Sequence, residues 1–132
     1  METVIWHNPR CGTSRNTLAM IRHAGIEPVV VEYLKQVPSQ DELAAMIREA
    51  GINVREAMRS KEAAYAEQGL ADEGLSDDQL LAAMVATPVL INRPFVRTAL
   101  GTRLCRPSEA VLEVLPPLPS VFTKEDGEVV GG

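Results

Sequence analysis

Cys11 lies in His7-Asn8-Pro9-Arg10-Cys11-Gly12-Thr13-Ser14-Arg15-Asn16, between an apolar run (Thr3 to Trp6) and a helical pattern that begins near Ser14. A cysteine at the mouth of a helix faces unpaired backbone N–H groups and the positive end of the helix dipole. Both stabilise a thiolate, the nucleophilic form of the side chain. Arg10, Arg15 and His7 are sources of further positive charge in the same stretch. The expected chemistry is therefore nucleophilic attack by an acidified thiol. A lone cysteine is otherwise a small buried hydrophobe, but Gly, Pro and cationic neighbours on a strand-to-helix turn disfavour that reading here.

The elements that must present this turn are legible on either side of it. Thr3 to Trp6 reads as a short buried strand, and Leu18, Ile21 and Ala24 recur at helical spacing before Gly25 stops the helix. Val29 to Tyr33 reads as a second strand, so the chain opens in β-α-β order, the start of an α/β domain with parallel pairing. Ser39-Gln40-Asp41-Glu42 is a capping box, followed by Leu43, Met46, Ile47 and Ala50 on one face and a stop at Gly51. From Asn53 to Leu75 the periodicity weakens, and short helices joined by loops are expected. A second box, Ser76-Asp77-Asp78-Gln79, starts a helix carrying Leu80, Leu81, Met84 and Val85 that ends at Thr87-Pro88. Val89 to Ile91, Phe95 and Leu104 suggest two or three short strands turned at Gly101. Pro107 at a first helical position then opens a last helix through Val111, Leu112 and Leu115. Residues 1–119 are expected to form a single domain, with Ser120 to Gly132 an extended or partly disordered tail.

Composition excludes several classes of function. The chain has 132 residues, 45 % of them hydrophobic, enough for one ordinary core. Its net charge of −5 argues against nucleic acid, which needs clustered Lys and Arg on one face. Two cysteines far apart in sequence make neither a disulfide framework nor a zinc pattern, and no basic-then-apolar leader opens the chain. No apolar run approaches the ~20 residues a membrane span requires. The expectation is a soluble cytoplasmic protein with reduced thiols, no metal, no membrane and no nucleic-acid partner.

Three motifs sharpen the functional reading: His7-Asn8-Pro9-x-Cys11-Gly12-Thr13-Ser14-Arg15-Asn16-Thr17, Leu90-Ile91-Asn92-Arg93-Pro94, and Gly101-Thr102-Arg103-Leu104-Cys105-Arg106-Pro107-Ser108-Glu109. In order and spacing they resemble the glutaredoxin-dependent arsenate reductases of the thioredoxin-like superfamily, and the similarity runs from about Val4 to Gly127. The resemblance implies an α/β thioredoxin-like fold with a mixed central sheet and a helical insertion. It implies catalysis by Cys11 and an oxyanion held by Arg59, Arg93 and Arg106, with Arg93-Pro94 similar to the family's cis-proline bond. It also implies reduction of arsenate to arsenite through a Cys11–arsenic adduct, with glutathione as co-substrate, glutaredoxin as protein partner and no bound cofactor. Small departures are Trp6 in place of another aromatic, Arg10 at a variable site and a short tail after Gly127.

Elementary chemistry agrees with that implication. Arsenate is a compact, multiply charged anion, and guanidinium forks match its oxygens while a helix N-terminus adds backbone donors. Some assignments stay open. His7 either tunes the thiol, as the resemblance implies, or satisfies a backbone carbonyl at the strand end. Ser14 can cap the helix or donate a hydrogen bond to the thiolate, two compatible roles. Arg59 stands in an undistinctive stretch with Arg55 as a rival. Cys105 reads as packing in preference to a resolving thiol, Arg97 and Arg103 as surface or ion-pair residues, and His23 as a favourable charge at a helix end. The C-x5-R oxyanion loop of the phosphatase-like class is absent, because Thr17 stands six positions after Cys11. A dithiol exchanger or an Spx-type regulator would need C-x-x-C, but the chain has Cys11-Gly12-Thr13-Ser14. A glutathione-dependent thiol reductase of the same superfamily is the nearer alternative.

Overall fold

The computed structural model describes residues 2–131. They fall into two compact units, one formed by residues up to Glu32 together with those from Arg93 onward, the other by Tyr33–Asn92. The second unit is thus an insertion between two strands of the first.

In the first unit, β1 (Val4–His7), β2 (Val29–Glu32), β3 (Phe95–Thr98) and β4 (Gly101–Leu104) form a sheet of order β2-β1-β3-β4. β1 runs parallel to β2, with Val4 opposite Val29, and antiparallel to β3, with Trp6 opposite Phe95. The parallel pair requires a crossover, supplied by helix α1 (Gly12–His23). This mixed sheet with its helical insertion is the thioredoxin-like α/β fold that the resemblance implies.

The buried face of α1 is more polar than its apolar spacing predicts. Ser14, Thr17, Met20 and Ile21 are buried, whereas Leu18 and Ala24 are only half-buried. Thr17 tolerates burial because its hydroxyl donates to the Thr13 carbonyl at 2.8 Å. Met20 and Ile21 join Ile5, Val96, Cys105, Val111, Val114 and Leu115 in one core cluster. Gly25, at φ 86°, takes the left-handed conformation that ends the helix.

The β3–β4 hairpin turns at Ala99-Leu100, one step earlier than expected, and Gly101 begins β4 at φ 144°, where a side chain would be strained. The expected last helix is a 3₁₀ helix over Ser108–Val114, with Pro107 just outside it. Ser108, Val111 and Val114 are its buried residues, a repeat of three that matches three residues per turn and not 3.6. Beyond it, the tail expected to be extended holds a two-stranded ribbon, β5 (Phe122–Thr123) with β6 (Val129–Val130).

In the insertion both capping boxes form. Ser39 accepts from the Glu42 amide at 3.1 Å and opens α2 (Gln40–Glu49). Ser76 accepts from the Gln79 amide at 3.2 Å and, after the short α3 (Ala63–Glu67), opens α4 (Asp77–Ala86). α2 and α4 pack together through Leu43, Met46, Ile47, Leu80, Leu81 and Met84, all buried. The strand expected at Val89–Ile91 is instead a 3₁₀ turn at Pro88–Leu90, leaving a single bridge between Ile91 and Met58. Pro88 explains the difference, since it lacks an N–H for a ladder and presets φ for a turn.

Candidate active site

Cys11 is the N-cap residue of α1, with extended backbone (φ −96°, ψ 120°). The loop before it is built by local bonds. The Cys11 amide donates to the Asn8 carbonyl at 3.0 Å, and the Arg10 amide donates to Asn8 Oδ1 at 3.0 Å, an Asx turn written in Asn8-Pro9. Its sulfur, half-buried, faces the amides of Thr13 and Ser14 without the strict geometry of a side-chain cap. Arg106 Nη1 lies 3.9 Å from Sγ and donates to the Arg93 carbonyl at 3.1 Å, so one guanidinium spans the Arg93 backbone and the thiol. The peptide bonds Arg93–Pro94 and Arg106–Pro107 are both cis.

Partial burial pushes the Cys11 thiol up. The Ser14 amide, the Arg93 charge, the Arg106 donor and the Thr13 amide together outweigh it and hold the thiol below its ordinary value. Cys105 is the opposite case: fully buried, with Glu113 adding to the effect of burial and Arg103 only partly offsetting it, its thiol is pushed up to about 12. Alkylation by iodoacetamide should therefore label Cys11 with a pH midpoint below that of a free thiol, while Cys105 reacts only on unfolding. A Cys11 midpoint at or above the free-thiol value would remove the basis for its activation. The Cys105 shift also fixes a sign for stability. An unfolded chain sheds this proton near the ordinary thiol value while the native one keeps it, so stability falls as pH rises from there toward 12.

His7 and Ser14 are engaged with each other. His7 Nδ1 lies 2.6 Å from Ser14 Oγ, which also accepts from the Asn8 amide at 3.0 Å. Burial lowers the His7 pKa further than Glu32 raises it, with Arg22 and Arg15 adding to the fall, so the ring is neutral at pH 7. The ring is engaged by Ser14 Oγ, and the positive charge beside the thiol is left to the arginines. Ser14 turns its side chain to His7 and the Asn8 amide. Its hydroxyl ties β1 to the Cys11 loop, and its backbone amide faces the sulfur.

Arg59 belongs to the other unit. Its amide donates to the Leu90 carbonyl at 2.8 Å, and its guanidinium pairs with Glu62 at 2.6 Å. The rival Arg55 is committed to its own surroundings: Nη1 donates to Tyr65 Oη and the Leu70 carbonyl, Nη2 to the Asp72 carbonyl. Arg97 stacks over Trp6, 5.2 Å from the ring centroid, and Arg103 pairs with Glu113 at 3.0 Å.

One participant near Cys11 has no signal in the sequence. Glu125, from the tail, binds Arg15 through both carboxylate oxygens at 2.9 and 3.0 Å, across 110 positions of chain. No local pattern announces such a contact.

Fold and site together define a thioredoxin-like protein with one accessible thiol at a helix mouth, flanked by guanidinium groups and lacking a vicinal second cysteine. Residues 6–114 match the ArsC family, and the chain belongs to that family. It is 63 % identical over 131 residues to an arsenate reductase of Rhizobium meliloti, covering 98 % of this chain and 94 % of that one. It is 57 % identical over 127 residues to an arsenate reductase of Escherichia coli, covering 96 % and 90 %. Among solved structures, an arsenate reductase from Vibrio cholerae superposes with a TM-score of 0.84 at 48 % identity, over 87 % of this chain and 98 % of that one.

Proposed function

We propose that this protein reduces arsenate to arsenite with the Cys11 thiolate as nucleophile. The observation that carries the reading is the Arg106 guanidinium at 3.9 Å from a thiol held below its ordinary pKa, in a chain 63 % identical to an arsenate reductase. Cys11 attacks arsenic and one oxygen leaves as water, giving a sulfur–arsenic adduct. Arg93 and Arg106 bind the remaining oxygens and stabilise their charge as the oxygen departs, and the family resemblance implies the same role for Arg59. Arg55 is not assigned to the anion, since its donors already serve Tyr65, Leu70 and Asp72.

Reduction of arsenic(V) to arsenic(III) takes two electrons. Cys11 and one glutathione thiol supply them, ending as a Cys11–glutathione disulfide while arsenite leaves. A glutaredoxin then takes the glutathione and restores the Cys11 thiol. His7 and Ser14 tune the thiol indirectly, by fixing the loop that presents it, and Pro94 abuts the oxyanion-binding Arg93. The reaction draws on glutathione and free thiols, which assigns it to the cytoplasm.

Purified protein with arsenate, glutathione, glutaredoxin and glutathione reductase should consume NADPH in proportion to arsenite formed. Consumption with disulfide substrates but none with arsenate would favour a general glutathione-dependent thiol reductase.

A further inference from the structure

The tail is fastened along α1 at both ends. At the helix C-terminus, His23 Nε2 lies 3.1 Å from both the carbonyl and the hydroxyl of Ser120, and its ring meets Phe122 edge-on at 5.6 Å. At the N-terminus the Glu125 amide donates to Asn16 Oδ1 at 3.0 Å, while its carboxylate takes Arg15 bidentately. The turn bearing Glu125 is itself braced, because Lys124, only 10 % exposed, pairs with Glu109 at 2.9 Å and with Glu128 at 3.1 Å. Arg15 has one further bond: Nη1 donates to the Pro9 carbonyl at 2.9 Å, two residues before the nucleophile. A cation in the first turn of a helix is disfavoured by the dipole, so apart from its charge beside the thiol Arg15 is held here by its partners Glu125 and Pro9. An exposed ion pair also adds little to stability. Its geometry is better suited to holding a loop.

We propose that Glu125 is a positioning residue for the Cys11 loop: its carboxylate fixes the Arg15 guanidinium against the Pro9 carbonyl, and so fixes the turn that aims the Cys11 sulfur at the amides of α1. This rests on Cys11 being the nucleophile, but its test needs no arsenate. Charged groups acting on the thiol are Arg93, just before β3, Arg106, just after β4, and Arg15 on α1; Arg10 is its neighbour in sequence, Glu125 reaches Arg15 from the tail, and His7, on β1, is neutral. If Glu125 acted on the thiol only through its field, removing the carboxylate would make the thiol more acidic. Acting through the clamp, its removal loosens the loop and makes the thiol less acidic.

The pH midpoint of Cys11 alkylation by iodoacetamide separates the two. In Glu125→Ala it should rise by about half a unit or more, roughly a threefold loss of thiolate below the midpoint. Glu125→Gln, which keeps one acceptor for the guanidinium, should rise less. In an Arg15→Ala background the Glu125→Ala shift should vanish, since a residue acting through another has no effect once that other is gone. An unchanged or lowered midpoint in Glu125→Ala, or a full shift persisting without Arg15, overturns the proposal. Arsenate turnover of the same proteins keeps the two readings apart: predicted midpoints with no reduction by any protein, wild type included, would refute the arsenate reading and leave the clamp standing.

Discussion

Cys11→Ser should abolish arsenate reduction, by a factor on the order of 10³ or more, whereas Cys105→Ala should keep most of it. A serine hydroxyl at the same helix mouth stays protonated near neutral pH and cannot form a disulfide with glutathione, so both attack and electron transfer fail. Cys105 is buried, its thiol held up to about 12, and packed with Ile5, Met20 and Val96. Trimming it removes one buried heavy atom and costs about 1 kcal/mol of stability, with turnover per folded molecule preserved. Steady-state kinetics with a urea unfolding curve on each variant separates the two effects. Substantial turnover by Cys11→Ser, or complete loss in a folded Cys105→Ala, would reverse the assignment.

The arginines come next in magnitude. Arg106→Ala and Arg93→Ala should each lower kcat on the order of 10²–10³, the range for removing one oxyanion donor from a preorganised site. Arg106→Lys should recover little, because a planar guanidinium matches two oxygens of an oxyanion at once and an ammonium acts only as a point charge. Arg103→Ala, which breaks an exposed pair with Glu113 and a bond to the neighbouring Thr102 carbonyl, should leave kcat within about twofold. Equal small effects at Arg93, Arg103 and Arg106 would place the oxyanion elsewhere.

What could be read from sequence followed the range of the interactions. The Cys11 helix mouth, the stop at Gly25 and the boxes at Ser39 and Ser76 are written within a few residues, and each forms as read. Spacing misleads where it admits two periods or where proline changes the backbone conformation. Ser108, Val111 and Val114 bury a three-residue repeat that helical spacing misassigns, and Pro88 turns an apolar run into a 3₁₀ turn. At the site, the juxtaposition of Arg106 with Cys11 spans 95 positions, and no local pattern encodes it; it was accessible only through resemblance. His7 and Ser14 were legible as neighbours of the thiol, but their bond to each other, which decides what either does, depends on the register of β1 with α1. Glu125 was invisible for the same reason as Arg106, without a motif to mark it.

The central claim is that Cys11 gives its sulfur to arsenic and then to glutathione. Mass spectrometry of enzyme quenched during turnover with arsenate and limiting glutaredoxin tests it most directly. The expected product is one glutathione on the peptide carrying Cys11, with Cys105 unmodified and the adduct absent when arsenate is omitted. A Cys11–Cys105 disulfide in its place, with turnover sustained by thioredoxin alone, would contradict the mechanism.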